Sequence, residues 1–232
     1  MSHSRAESAV EKLAESAVEA LGKPLLRGYS HAAVAPLAAV ATIYLVWSTS
    51  GDLARQLTLL IYGCSLVLLF AVSATYHVGN WPVRVREVLR RFDHSNIFLL
   101  IAGTYTPIVF TMLSGWWRVG ILVAVWVPAA AGVAISVSGL PMRRGVLTML
   151  YILVGWIAAI AIPQILQQVG LAGGLLLLGG GVFYSLGALC YALKWPPLWR
   201  KVFSYHEVFH LFVIAASGFF LVFILQYVVR LG

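Results

Sequence analysis

The chain has 232 residues, of which 61% are hydrophobic and only 10% charged, with mean hydropathy +0.90; a soluble domain carries about 25% charged residues, so the soluble class is excluded. Lys and Arg outnumber Asp and Glu, 16 to 8, which reads as the basic cytoplasmic loops of a membrane protein and argues against nucleic-acid binding. Cys64 and Cys190 both lie inside apolar runs, which argues against a disulfide framework and against a Cys-based metal site.

The first 28 residues are expected to form a separate N-terminal cytoplasmic segment, ahead of a transmembrane domain over 29–232. ESAVEKLA at Glu7–Ala14 and ESAVEALG at Glu15–Gly22 make an imperfect repeat. Val10, Leu13, Ala17 and Leu21 fall at helical spacing, so an amphipathic helix is one reading and a solvated tail the other. No basic stretch followed by an apolar run opens the chain, so no cleavable signal peptide is expected.

From residue 30 onward the chain divides into apolar stretches near the roughly 20 residues that a membrane-crossing helix needs. Seven are expected, at roughly 30–49, 55–77, 92–113, 117–138, 147–167, 171–193 and 205–229. The fold class is therefore an all-α, seven-transmembrane helix bundle. Its direction follows from the loops. Thirteen Lys and Arg, in the N-terminal segment and after spans two, four and six, fall on one side; only Arg55, Arg118 and Arg230 fall on the other. The excess marks the cytoplasmic face, so the N-terminus is expected inside, the C-terminus outside, and the protein in the cell inner (plasma) membrane. Trp47, Trp116 and Trp117 sit at expected outer ends, and Trp81, Trp195 and Trp199 at inner ends, where aromatic belts form. Pro36, Pro107, Pro128 and Pro163 fall inside spans, and span six is rich in glycine; helix packing accounts for both.

This topology gathers the ionisable residues at one depth. Span two ends inside on SATYH, with Ser73 and His77 one turn apart on one face. Span three opens on Asp93 in RRFDHSN, and span seven opens on HEVFH, with His206 and His210 again one turn apart. Two histidines at that spacing can grip one metal ion. Ionisable groups in a membrane are costly, roughly 2.5–3.5 kcal/mol for a charge near a helix centre on insertion scales, so four together call for a function. Three imidazoles suit a catalytic zinc site, which commonly takes three protein ligands and leaves one position for water. His77, His206 and His210 are the expected metal ligands and Zn2+ the expected ion. Asp93 is expected to hold the water by hydrogen bond and pass its proton, though it could serve as a fourth ligand; Ser73 would steady water, carboxylate or substrate carbonyl. A proton relay or a structural hydrogen-bond cluster is the competing explanation.

Neighbouring residues are read more plainly. His31, in RGYSH, is expected to cap the interface, with a place at the mouth of the site as the alternative. His94 and Glu207 point off the metal face, Glu207 toward a loop arginine. Thr104 and Tyr105, deeper on span three, would line a cavity or bond across helices.

SxxxH at Ser73–His77, LRRFDHSNIFLLIAGTYTP at Leu89–Pro107, HEVFH at His206–His210 and RGYSH at Arg27–His31 together resemble the hemolysin III family, bacterial relatives of the progestin and adipoQ receptors. The resemblance covers residues 27–232. It implies seven helices around a cytoplasm-side zinc on His77, His206 and His210, with Asp93 holding the water and Ser73 beside them. The wider superfamily includes ceramidases, which implies hydrolysis of a lipid amide or ester. The expectation is a zinc-dependent lipid hydrolase whose partners are membrane lipids. A non-enzymatic sensor or receptor with structural zinc, or a cytolysin, is the alternative. A cytolysin fits poorly, since the seven apolar spans leave no soluble form; a transporter would show repeats across the spans, and none is seen.

Overall fold

The computed structural model describes residues 24–140, 142–199 and 201–230. The repeat-bearing segment expected as an amphipathic helix lies outside the described residues. Among those described, all regular structure is helical: α1 (Tyr29–Ser48), α2 (Leu53–Val78), α3 (Val83–Met112), α4 (Gly115–Ser138), α5 (Arg144–Gly155), a 3₁₀ turn (Ile157–Ala161), α6 (Ile162–Leu193), α7 (Tyr205–Phe223) and a closing π turn (Ile224–Val228). Six helical stretches among the described residues are long and apolar enough to cross a membrane, with Arg144–Leu193 counted as one.

Apolar runs located the helices, and caps moved their ends. Asp52 caps α2 by accepting from the Arg55 amide at 3.0 Å. Ser204 and Glu207 form a capping box at the start of α7. α3 begins at Val83, after Pro82, and not near residue 92, because the polar turns Val83–Arg91 are also helical. Hydropathy marks only the part of a helix that lipid or protein covers, so a helix that projects past the apolar layer looks short in sequence.

The expected span 147–167 is the largest departure. α5 ends at Gly155, the backbone leaves helical geometry at Trp156, and a 3₁₀ turn leads into α6 with Pro163 in its first turn. Pro163 thus starts a helix where the sequence suggested a mid-span proline. The expected break between spans five and six falls on Gly170 alone, whose φ of 62° and ψ of −168° suit only glycine. The chain doubles back there: the Trp156 indole donates to Ser185 Oγ at 3.0 Å, and Leu166 lies on Gly174. Two groups 29 residues apart can touch this way only if the helices on either side of Gly170 run side by side.

α3 is the hub. It packs on α2, α4, α5, α6 and the π turn, and α1 closes the bundle against both α2 and α7. The core includes Tyr62, Phe70, Phe98, Val109, Val125 and Phe223. Glycines of α6 let the aromatic rings of α7 approach: Gly179, Gly180 and Gly187 face Phe219, Phe220 and Phe212. The other helix faces carry exposed apolar side chains such as Leu37, Ile43, Val123 and Leu175, the mark of lipid contact.

Candidate metal centre and its cavity

Four elements converge at the Ser204 end of α7. The last turn of α2 carries His77, α3 carries Asp93, α7 carries His206 and His210, and the first turn of α1 carries His31. Backbone bonds tie the entry to α1 alongside the entry to α7, Leu25 N to Lys201 O at 3.0 Å and Leu26 N to Val202 O at 3.1 Å. Arg27 Nε donates to Glu207 Oε1 at 3.1 Å, and the same carboxylate accepts from the Ser204 amide and hydroxyl. Glu207 is thereby both buried and satisfied. Its arginine partner is the one kind of contact the sequence foresaw for it.

His77, His206 and His210 each offer a ring nitrogen, and the three atoms lie within 4.8 Å of one another. The closest pair is His206 Nε2 and His77 Nε2 at 3.1 Å. Zinc–nitrogen bonds of about 2.0–2.1 Å in a tetrahedron put ligand atoms roughly 3.3–3.4 Å apart, so the triad fits such an ion with small ring movements. Among the described residues, His210 Nδ1 is buried without a hydrogen-bond partner. Asp93 Oδ2 stands 3.6 Å from His77 Nε2, beside the triad. Ser73 is buried one turn before His77. The structure brings together all five residues that the sequence assigned to the site.

Ser73, Asp93, His206 and His210 reach the polar end of a cavity of about 170 Å³, with His77 beside His206. His31 also lines that end, and Ile108, Val109, Ile165, Leu177, Val213 and Phe220 are part of its apolar wall. Along α3, Asp93 to Val109 spans roughly 24 Å at about 1.5 Å per residue, most of a hydrocarbon layer about 30 Å thick. Thr104 and Tyr105 line the cavity, and Tyr105 also bonds across helices, its hydroxyl donating to the Gly155 carbonyl that the end of α5 leaves free. Trp156 and Leu178 line the cavity and are exposed on the outside of the bundle, so the cavity reaches the lipid-facing surface where α5 breaks. His94 lines the cavity too, and its carbonyl accepts from Tyr151 at 3.0 Å.

His31 corrects the sequence reading. It does not cap the interface: it is 2% exposed, its ring stacked on that of His210 with centroids 3.8 Å apart and planes 12° from parallel. Gly28, at φ 83°, turns the chain so closely over α2 that a Cβ there would come within 2.6 Å of His77 Cβ. The RGYSH pattern was visible, but which helix α1 would meet was not.

A model of the family described as Haemolysin-III related matches residues 20–221. Hemolysin-3 of Bacillus cereus is 32% identical over 84% of this chain and 86% of its own length. The Hemolysin-3 homolog of Bacillus subtilis (strain 168) is 32% identical over 73% of this chain and 76% of its own. The human monocyte to macrophage differentiation factor is 26% identical over 82% and 78%.

Proposed function

The chain belongs to the haemolysin-III-related family of multi-pass membrane proteins, and from that premise we propose that it is a zinc-dependent hydrolase of lipid amide or ester bonds. The observation that carries this reading is the convergence of three imidazole ligand atoms within 4.8 Å at the polar end of an otherwise apolar cavity. His77, His206 and His210 would hold the ion. A zinc ion there supplies Lewis acidity and brings the ionisation of a water toward about pH 7. Asp93, next to His77, would take a proton and deliver it to the leaving nitrogen or oxygen of the substrate. Ser73 orients the substrate carbonyl, and the apolar wall holds the acyl chain and keeps bulk water from the reacting bond. The lipid reaches this wall from the bilayer, beside Trp156.

The site acts near the cytoplasmic leaflet in a chain that crosses seven times. The reversal at Gly170 and the Trp156–Ser185 bond support two passes within Arg144–Leu193, and the loop charges support an inner N-terminus.

The test joins composition to turnover. The purified full chain should hold about one zinc and release fatty acid from at least one lipid amide or ester in a panel. Asp93→Ala should lower that rate about 10²–10⁴-fold while most of the zinc stays bound. His210→Ala should lose the zinc. A zinc-replete protein that turns over no lipid would sink the hydrolase. A cellular phenotype that survives Asp93→Ala but not His210→Ala would favour a structural metal in a sensor.

A further inference from the structure

We infer that His31 is a positioning residue for the metal ligand His210, holding the imidazole by its face where a hydrogen bond would ordinarily hold it by its edge. The inference rests on the metal reading above. A metal-binding histidine usually donates its second ring nitrogen to a carboxylate, a carbonyl or water, which fixes the ring's angle. His210 Nδ1 is buried and has no hydrogen-bond partner among the described residues. What constrains the ring is the parallel face of His31 at 3.8 Å. His31 is itself held: Phe70 meets it edge-on, centroids 4.9 Å apart and planes at 81°. Among the described residues neither nitrogen of His31 makes a well-formed hydrogen bond, and its contact with the His210 ring is through its flat face.

The remainder of the same short segment points the same way. Arg27 pins the first turn of α7 through Glu207, and Gly28 lies on His77. Residues 27–31 therefore touch both ligand-bearing helices, and α1 supplies no ligand but sets the distance and angle between those that do.

The full chain in detergent, stripped of metal by a chelator and titrated with Co2+, gives two readouts: affinity, and the visible bands that report ligand geometry. His31→Ala should weaken Co2+ binding about 10–100-fold, the usual effect of losing a ligand's orienting partner, and should shift the bands. His31→Phe keeps a flat ring and should restore the wild-type bands and affinity to within a few-fold. Thermal unfolding of the metal-free variants separates lost positioning from lost fold. If His31→Ala does not fold, Phe70→Leu removes the ring on which His31 leans and should lower affinity by a few-fold. Wild-type bands and affinity in His31→Ala, or equal loss in the folded Ala and Phe variants, overturn the inference and leave the metal site standing. Unchanged binding in Phe70→Leu, where it is the variant that folds, also overturns it. A wild-type chain that takes up no Co2+ or Zn2+ sinks the metal site and this role together.

Discussion

At the scale of single residues, the site is a set of buried polar groups that hold one another. Glu207 shows what each depends on. Its carboxylate is buried, 3.1 Å from Arg27 Nε, and closes the capping box of α7. Removing one partner of a buried pair leaves an uncompensated charge, at a cost of about 3–5 kcal/mol. Arg27 is still 16% exposed, so Arg27→Met should fall at the lower end of that range. Arg27→Met combined with Glu207→Gln should recover much of the loss, because the amide keeps the cap and carries no charge. Thermal unfolding in detergent of the two variants measures the difference. Equal destabilisation by both would mean that the unpaired Glu207 charge contributes little and that the loss comes from the other contacts of Arg27, such as its hydrogen bond to Ser204 Oγ.

At the scale of elements, two glycines do what no other residue could. Gly170 turns the chain between α5 and the main length of α6 in a region of backbone space that other residues avoid. Such conformations cost about 1–3 kcal/mol for a residue with a side chain, so Gly170→Ala should destabilise the bundle by that amount without touching metal uptake. Gly28→Ala should behave oppositely. Its new methyl would meet His77 Cβ at 2.6 Å and lie at positive φ, so metal affinity should fall with stability. Chelator competition on both variants, with unfolding scans, separates a strained turn from a displaced ligand. The break after Gly155 is steadied differently, by the Tyr105 hydroxyl on the freed carbonyl. Hydrogen bonds between membrane helices contribute about 0.6–1.7 kcal/mol, and Tyr105→Phe should lose about that much.

At the scale of the molecule, one bundle places a polar centre at one membrane face and an apolar cavity behind it. The proposed seven-pass arrangement would make that face cytoplasmic. Single cysteines introduced into a background lacking Cys64 and Cys190 test this directly. Positions 80 and 198 should react with a membrane-impermeant thiol reagent only from the cytoplasmic side, and positions 51 and 114 only from outside. Reaction of 80 and 114 from the same side would refute the topology. The cavity adds a chemical expectation. If the proposed lipid hydrolase is right, a wall of Ile, Leu, Val and Phe would favour a longer acyl chain by burial, worth roughly 25 cal/mol per Å² of apolar surface, and turnover should fall as the chain of the test lipid is shortened.

Much of this was legible in the order of residues alone. Charge and hydropathy are one-dimensional, and they gave the membrane class, the helix centres and the charged side of the bundle. The spacing within Ser73–His77 and within His206–His210 is a property of one helix, and the common depth of His77, Asp93, His206 and His210 followed from counting apolar residues. Sequence placed these groups at one depth without saying which helices are neighbours, since depth fixes one coordinate and leaves the other two free. Only the packed structure set His77 beside His206 at 3.1 Å, put His31 on His210 and opened a cavity behind them. The break at Gly155–Trp156 was hidden for the same reason. The run from Met149 to Ile162 is apolar with no polar residue beyond the Tyr151 and Trp156 rings to mark a break, and the groups that meet the break, Tyr105 and Ser185, are distant in the chain.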